Sequence, residues 1–395
     1  MYVFQSILVM LVCAIALAAC ARYLKLPYPS LLALGGTALA FVPHAPTFRI
    51  DPALTLALFV APALLDAAYD TSLRDLKRYW VPVMSLVFIA VGLTIAAVAW
   101  TVHWMVPGIP WAAAIAIGAI VAPPDAVAAS AVMRRLRIPH RVVVILEGES
   151  LLNDATALLV YRTAVTAVGG VTLTAAGAAL LPLAMLASVA MGFGLAHVSS
   201  RVVRTFRDIP STIILQFVMT FGIWILADEL HLSPIVTIVV YAITAARLSP
   251  QSTPAEVRLP TYAVWETVVF LLNVLAFVLI GLQLRPILAS LGAAERDTYV
   301  RVALIVLGVV LVVRLAWVLV YNRAATWKFR WFGAGLWPGP TVPSLGGSLV
   351  VGWAGMRGMV TLATAYALPD NFPHRDLALL CAFFVVVGTL VLQGM

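Results

Sequence analysis

The sequence predicts an all-α polytopic membrane protein with about thirteen transmembrane helices. Three observations predict it. Of the 395 residues, 63% are hydrophobic and 11% are charged, where a soluble domain carries roughly 25% charged residues. Apolar runs long enough to cross a bilayer, about 20 residues each, recur from end to end. Lys and Arg gather in alternate connections between these runs, as the positive-inside rule requires.

The spans are centred near residues 12, 35, 60, 92, 120, 154, 187, 220, 239, 273, 311, 358 and 386. The first, "VFQSILVMLVCAIALAAC", reads as a span, because no small-x-small cleavage site leads into a soluble domain. Connections after odd-numbered spans hold Arg22 and Lys25, then Arg74, Lys77 and Arg78, then Arg134, Arg135, Arg137 and Arg141. Further on they hold Arg201, Arg204 and Arg207, Arg247 and Arg258, and Arg323, Lys328 and Arg330. Connections after even-numbered spans hold only Arg49, Arg162, Arg285, Arg296, Arg301 and Arg375. The asymmetry predicts a multi-pass protein of the cell inner (plasma) membrane, N-terminus outside and C-terminus cytoplasmic. It also accounts for the net charge of +8 without a nucleic-acid partner. Cys13, Cys20 and Cys381 sit within apolar spans and imply no disulfide framework. The chain reads as a single membrane domain, 1–395, with no soluble domain. It stops within apolar sequence, "VVVGTLVLQGM", and a cytoplasmic tail is expected beyond.

Three spans carry chemistry. The sixth holds "EGESLLNDATALLV" (147–160). Asp154 lies 13 residues beyond Arg141, about 20 Å along a helix and near the middle of a core about 30 Å thick. Glu147, Ser150 and Asp154 share one helix face; Glu149 and Asn153 line the next row. Carboxylates at that depth face a cavity or a partner; the plain alternative is a set of buried carboxylates that fixes packing. The fifth span holds "GAIVAPPDAVAASAV" (118–132). Pro123 and Pro124 have no N–H, so the carbonyls of Ala119 and Ile120 lose their helical donors and the helix opens. Open backbone at membrane depth is tolerated inside protein or beside water. Asp125 then stands where the next half-helix begins, which a simple proline kink would not require. The twelfth span, "GWAGMRGMVTLATAYALP" (352–369), puts Arg357 among Gly352, Gly355 and Gly358, residues that weaken a helix. The two interrupted spans are seven apart, hence opposite in direction. Interrupted helices in inverted positions point to a transport site at the midplane.

These stretches, with "FVAPALLDAAYDTSLRDLKR" (59–78) and "FVLIGLQL" (277–284), resemble the cation/proton antiporter superfamily and its sodium/proton exchanger branch. The resemblance covers essentially the whole chain. It implies inverted repeats with two crossed, unwound helices, and a homodimer that moves by an elevator-type mechanism. Core helices would lie near 50–168 and 262–395, dimerisation helices near 1–45 and 172–250. Asp154 would bind Na⁺ or H⁺ in turn, with Ser150 and Glu149 flanking the metal ion, Asp125 at the unwound crossing, and Arg357 paired with Glu149. Asn153 before Asp154 implies electroneutral, one-for-one exchange. Where many exchangers have Thr before the crossing aspartate, this chain has Pro124, which offers only a carbonyl. No cofactor is implied beyond the transported Na⁺ and H⁺.

The residues support the same reading without the family. Na⁺ is a hard cation that prefers oxygen ligands, and Asp154, Ser150 and a freed carbonyl supply them. If proton and cation compete for one carboxylate and only a loaded site crosses, exchange needs no separate coupling device. Asp66, near the cytoplasmic end of span three, either gates cation access or is an interfacial charge. Arg314, well inside span eleven, compensates charge in the core or snorkels to the interface; its depth favours the first. A K⁺-selective antiporter is the nearest alternative. From other classes, an intramembrane aspartyl protease would use Asp125 and Asp154 as a dyad, and a cation channel would need no proton-competent site.

Overall fold

The computed structural model describes residues 2–42, 52–133, 138–170, 175–206, 208–252, 255–332 and 344–395. Arg49, Arg134, Arg135, Arg137 and Arg207 of the predicted charge pattern lie outside them. All regular structure among the described residues is helical. In chain order the helices are α1 (Tyr2–Tyr23), α2 (Tyr28–Ala40), α3 (Pro52–Thr55), α4 (Ala61–Asp70), α5 (Leu73–Arg78), α6 (Trp80–Met84) and α7 (Val91–Met105). Then come α8 (Trp111–Val121), α9 (Ala126–Met133), α10 (His140–Val168), α11 (Ala175–Val203), α12 (Ile209–Glu229) and α13 (Pro234–Ser252). The last are α14 (Ala255–Leu282), α15 (Leu284–Ser290), α16 (Ala293–Phe332), α17 (Leu345–Trp353), α18 (Met359–Tyr366) and α19 (Arg375–Gly394). Each predicted span centre falls inside a helical segment except that near 358, which falls in the gap between α17 and α18.

Two π-helical segments, Leu56–Val60 and Ser85–Ala90, bridge α3 to α4 and α6 to α7. Each adjoins a proline, Pro62 or Pro82. A proline ring displaces the carbonyl four residues earlier; for Pro62 that is Leu58, inside the first segment, whose wider turn absorbs the misfit. Among the described residues, Trp80–Met105, Pro182–Val203, Ile209–Glu229, Ala255–Ala289, Glu295–Trp331 and Arg375–Gly394 are long and apolar enough to cross a membrane. Their outward side chains are apolar too: Trp100, Leu186, Ile214 and Val312 are all exposed, as lipid contact favours. The all-α polytopic membrane fold expected from the sequence is therefore the fold observed.

The chain divides into two compact units. The first comprises Met1–Ile50, Ser72–Gly170 and Val274–Met395. At its centre α8 is buried on all sides, Ala113, Ala114, Ala116, Ile117 and Gly118 included. Small side chains let neighbours approach: a Cβ on Gly118 would press into the carbonyl oxygen of Ile95 on α7. Likewise α2 meets the end of α14 where Gly36 lies against the backbone of Val278 and Gly281 against that of Ala33. Such small-residue crossings replace the hydrophobic drive that lipid cannot supply. The second unit comprises Asp51–Thr71 and Val171–Asn273. There Gly192 of α11 packs on the backbone of Thr237 in α13, and Ser199 bonds Tyr241 across the same helices at 3.0 Å. The indole N–H of Trp265 donates to Gln216 Oε1 at 2.7 Å, while its ring stacks on Phe217 with centroids 4.4 Å apart.

Candidate functional site

The site lies in the first unit, where two broken helices meet α10. The first break separates α8 from α9 at residues 122–125, around Pro123 and Pro124. The second separates α17 from α18 at residues 354–358, around Gly355, Arg357 and Gly358. Each break supplies what the other lacks. Asp125 N–H, which would serve Val121 in a continuous helix, instead donates to Met356 O at 2.7 Å. Arg357 takes the carbonyls this leaves open: Nε donates to Val121 O at 3.2 Å and Nη2 to Ala122 O at 3.0 Å. Its Nη1 donates to Gly355 O. The backbone N–H of Arg357 donates to Thr389 Oγ1 on α19 at 3.0 Å. Arg357 is 1% exposed; a guanidinium buried that deeply needs such acceptors.

Gly358, the residue before α18, lies directly against the Asp125 carboxylate; a Cβ there would overlap it. The glycine is needed for this close approach, not for a left-handed backbone, since its φ is −141°.

Helix α10 brings the remaining groups. Asn153 Nδ2 donates to Pro124 O at 3.0 Å, and Ser150 Oγ reaches the same carbonyl at 3.5 Å. The carbonyl of Pro124 thus faces the carboxylate helix. Asn153 is fully buried, and its Oδ1 has no hydrogen-bond partner among the described residues. Asp154 is 7% exposed and interacts electrostatically with Asp125.

One expected pairing is different. Glu149 is held by Arg314 of α16, not by Arg357. The contact is bidentate, Nη1 to Oε1 at 2.5 Å and Nη2 to Oε2 at 2.8 Å. Nη2 also donates to Val351 O at 3.1 Å. Arg314 is 3% exposed and therefore does not snorkel. Arg357 is unavailable to Glu149 for a physical reason: the opened carbonyls of α8 already occupy its fork. Gly355 fits between the two arginines, where a Cβ would strike the Arg314 side chain.

The structure therefore brings together Asp125, Pro124, Glu149, Ser150, Asn153, Asp154, Arg314 and Arg357. Asp66 stands in the other unit, beside a cavity of about 40 Å³ that Tyr69, Gln216, Arg258 and Trp265 also line. Thr389 was missed: a single hydroxyl in "VVVGTLVLQ" carries no signal without its partner. The Arg314–Glu149 pairing was missed because Arg314 and Arg357 are both deep arginines, and the sequence does not say which of them reaches Glu149.

A sequence profile of the transmembrane sodium/hydrogen exchanger family matches residues 7–395. The sodium, potassium, lithium and rubidium/H(+) antiporter of Bacillus pumilus (strain SAFR-032) is 29% identical over 412 residues, covering 100% of this chain. The chain spans 60% of that relative's length. The uncharacterized Na(+)/H(+) exchanger YjcE of Escherichia coli (strain K12) is 30% identical over 398 residues, covering 93% of this chain and 71% of its own. Among solved structures, the sodium proton antiporter MjNhaP1 from Methanocaldococcus jannaschii superposes with a TM-score of 0.71 at 18% identity, covering 100% of this chain and 97% of its own. At that identity the likeness is one of fold.

Proposed function

This chain belongs to the sodium/hydrogen exchanger family, a family of ion transporters rather than enzymes, and from that premise we propose that it is a secondary antiporter exchanging H⁺ for Na⁺, Li⁺ or K⁺. The observation that carries the proposal is the charge of the cluster at the two breaks. Asp125, Glu149 and Asp154 bring three negative charges; Arg314 and Arg357 bring two positive ones. One negative charge remains. A charge uncompensated in the membrane interior is costly, so the empty site resists exposure to the bilayer. One proton or one monovalent cation restores neutrality. Either cargo makes the site fit to cross, and the two exclude each other on the same carboxylate.

Asp154 is the exchanging group in this reading, because Arg314 already holds Glu149. Ser150 and the carbonyl of Pro124 complete the oxygen set, and the orphaned Asn153 Oδ1 is a further donor of electron density to a cation. Asn153 in place of a fourth carboxylate makes the exchange one-for-one and electroneutral. The core helices near 50–168 and 262–395 carry the cargo in an elevator-type cycle against dimerisation helices near 1–45 and 172–250, in a homodimer of the plasma membrane with the N-terminus outside. Asp66 gates cation access.

Reconstituted vesicles with an imposed pH gradient test the proposal. Dequenching of a pH-sensitive dye is expected on adding Na⁺, and Li⁺, K⁺ and Rb⁺ are run beside it because the Bacillus pumilus relative is named for all four. Asp154→Asn is expected to abolish the response. Full activity in that variant removes Asp154 as the shared site.

A further inference from the structure

We infer that the first unit carries a binding slot for one anionic phospholipid, separate from the ion site. A cavity of about 260 Å³ opens between α6, α10, α16, α17 and the π-helical segment Ser85–Ala90. Its floor is buried and mostly apolar: Leu86, Ile145, Val318 and Val351 are each at most 6% exposed, and the hydroxyls of Ser85 and Ser348 are already engaged by Trp317 and Asn322. Its mouth is polar, formed by Arg141 in the first turn of α10 and by Ser344 ahead of α17. The slot is therefore amphipathic along its length, an apolar well with a cationic rim. The ligand of matching chemistry has an acyl chain and an anionic head.

Three features set the sign of the head group. Arg141 lies over the ring of Tyr79 with its guanidinium carbon 5.5 Å from the centroid, and Arg78 lies 5.9 Å from the same ring. Two guanidiniums thus lie over one aromatic ring. The neighbouring acid, Asp75, is engaged by the His140 ring at 3.1 Å. The N-terminal end of α17, nine residues long and capped by Ser344, whose Oγ accepts the Gly347 N–H at 3.1 Å, adds its positive pole. The surroundings set the source. Trp80, Leu345 and Leu349, on helices that build the slot, are exposed apolar side chains, suited to the bilayer interface. A phospholipid there reaches the slot without leaving the membrane.

Occupancy would bear on the ion site through two helices. Ile145 lies one turn before Glu149 on α10, and Val318 one turn after Arg314 on α16. Val351, on the floor, offers its carbonyl to Arg314. A chain filling the slot packs against the residues one turn from the Glu149–Arg314 pair.

Native mass spectrometry of the purified protein in micelles doped with dioleoyl-phosphatidylglycerol or dioleoyl-phosphatidylcholine tests the slot. One retained phosphatidylglycerol per chain, saturating with lipid concentration and preferred over phosphatidylcholine, is expected. Arg141→Gln should weaken phosphatidylglycerol retention by about tenfold, the usual worth of one charge-assisted contact. Val318→Trp should fill the well and remove retention of both lipids, with cooperative thermal unfolding preserved. If Arg141→Gln does not purify, Val318→Trp and the head-group preference of the unaltered protein decide the matter. Equal retention of the two lipids, adducts that rise without saturating, or retention unchanged by Val318→Trp overturns the inference.

Discussion

At the scale of single residues, the Glu149–Arg314 pair is the most costly feature of the site to disturb. Both groups are almost fully buried. Removing one partner strands the other charge, which typically costs about 3–5 kcal/mol, whereas replacing both can be nearly neutral. Glu149→Gln and Arg314→Met are therefore each expected to lower thermal stability more than the double variant does; an additive double variant would mean the pair is not coupled. Gly358→Ala makes a second case. The new methyl overlaps the Asp125 carboxylate, and an overpacked interior costs about 1–3 kcal/mol. Both stability and exchange should fall, since Asp125 must move; wild-type exchange would show that the Asp125–Gly358 approach is dispensable. The residues themselves were legible in the sequence: a carboxylate at mid-bilayer, a Pro-Pro break and a deep arginine are each improbable without a partner. Who pairs with whom was not. Arg357 and Arg314 offer the same fork, and only the fold decides that one serves opened carbonyls and the other Glu149.

At the scale of elements, α5 and α10 are joined outside the membrane by the His140–Asp75 contact at 3.1 Å. The hydrogen bond from His140 holds the Asp75 carboxyl below the usual carboxylate range. A carboxylate whose folded pKa is depressed stabilises the fold above its unfolded value, and the effect is lost as pH falls through the folded value. The wild type should thus outlast Asp75→Asn in thermal unfolding at neutral pH, and the difference should vanish as pH falls below roughly 4. A difference that persists in stronger acid would assign it to packing instead. Asp208 behaves alike at the start of α12, where its side chain accepts from Ser211 N–H at 2.9 Å. The helices were legible from apolar length. Their interruptions were legible only where Pro or a cluster of Gly announces them, at 123–124 and 352–358. The π-helical segments were not, because a proline such as Pro62 marks a misfit without saying whether the helix kinks, breaks or widens.

At the scale of the whole molecule, the charge count of the cluster governs electrical behaviour. If one cargo neutralises the site in either direction, a full cycle moves no net charge. Cation-driven proton flux in vesicles should then be the same with the membrane potential clamped at zero or at a large negative value. A rate that follows the potential would require a second proton and would return Glu147 to consideration. The membrane fold was legible from composition alone. The division into two units was not, because the helix α14 continues through the boundary at Asn273 and Val274 without a change in character.

The mutual repair of the two breaks has a consequence for biogenesis. Arg357 is 236 positions from Val121 and 235 from Ala122. At the roughly 5–20 residues per second of synthesis, α8 enters the membrane on the order of ten to fifty seconds before the arginine that closes its open carbonyls leaves the ribosome. During that interval other donors, water or the insertion machinery among them, have to meet them. The nascent chain therefore carries an unrepaired break for that interval, and the cargo site is complete only once α17 and α18 have joined α8.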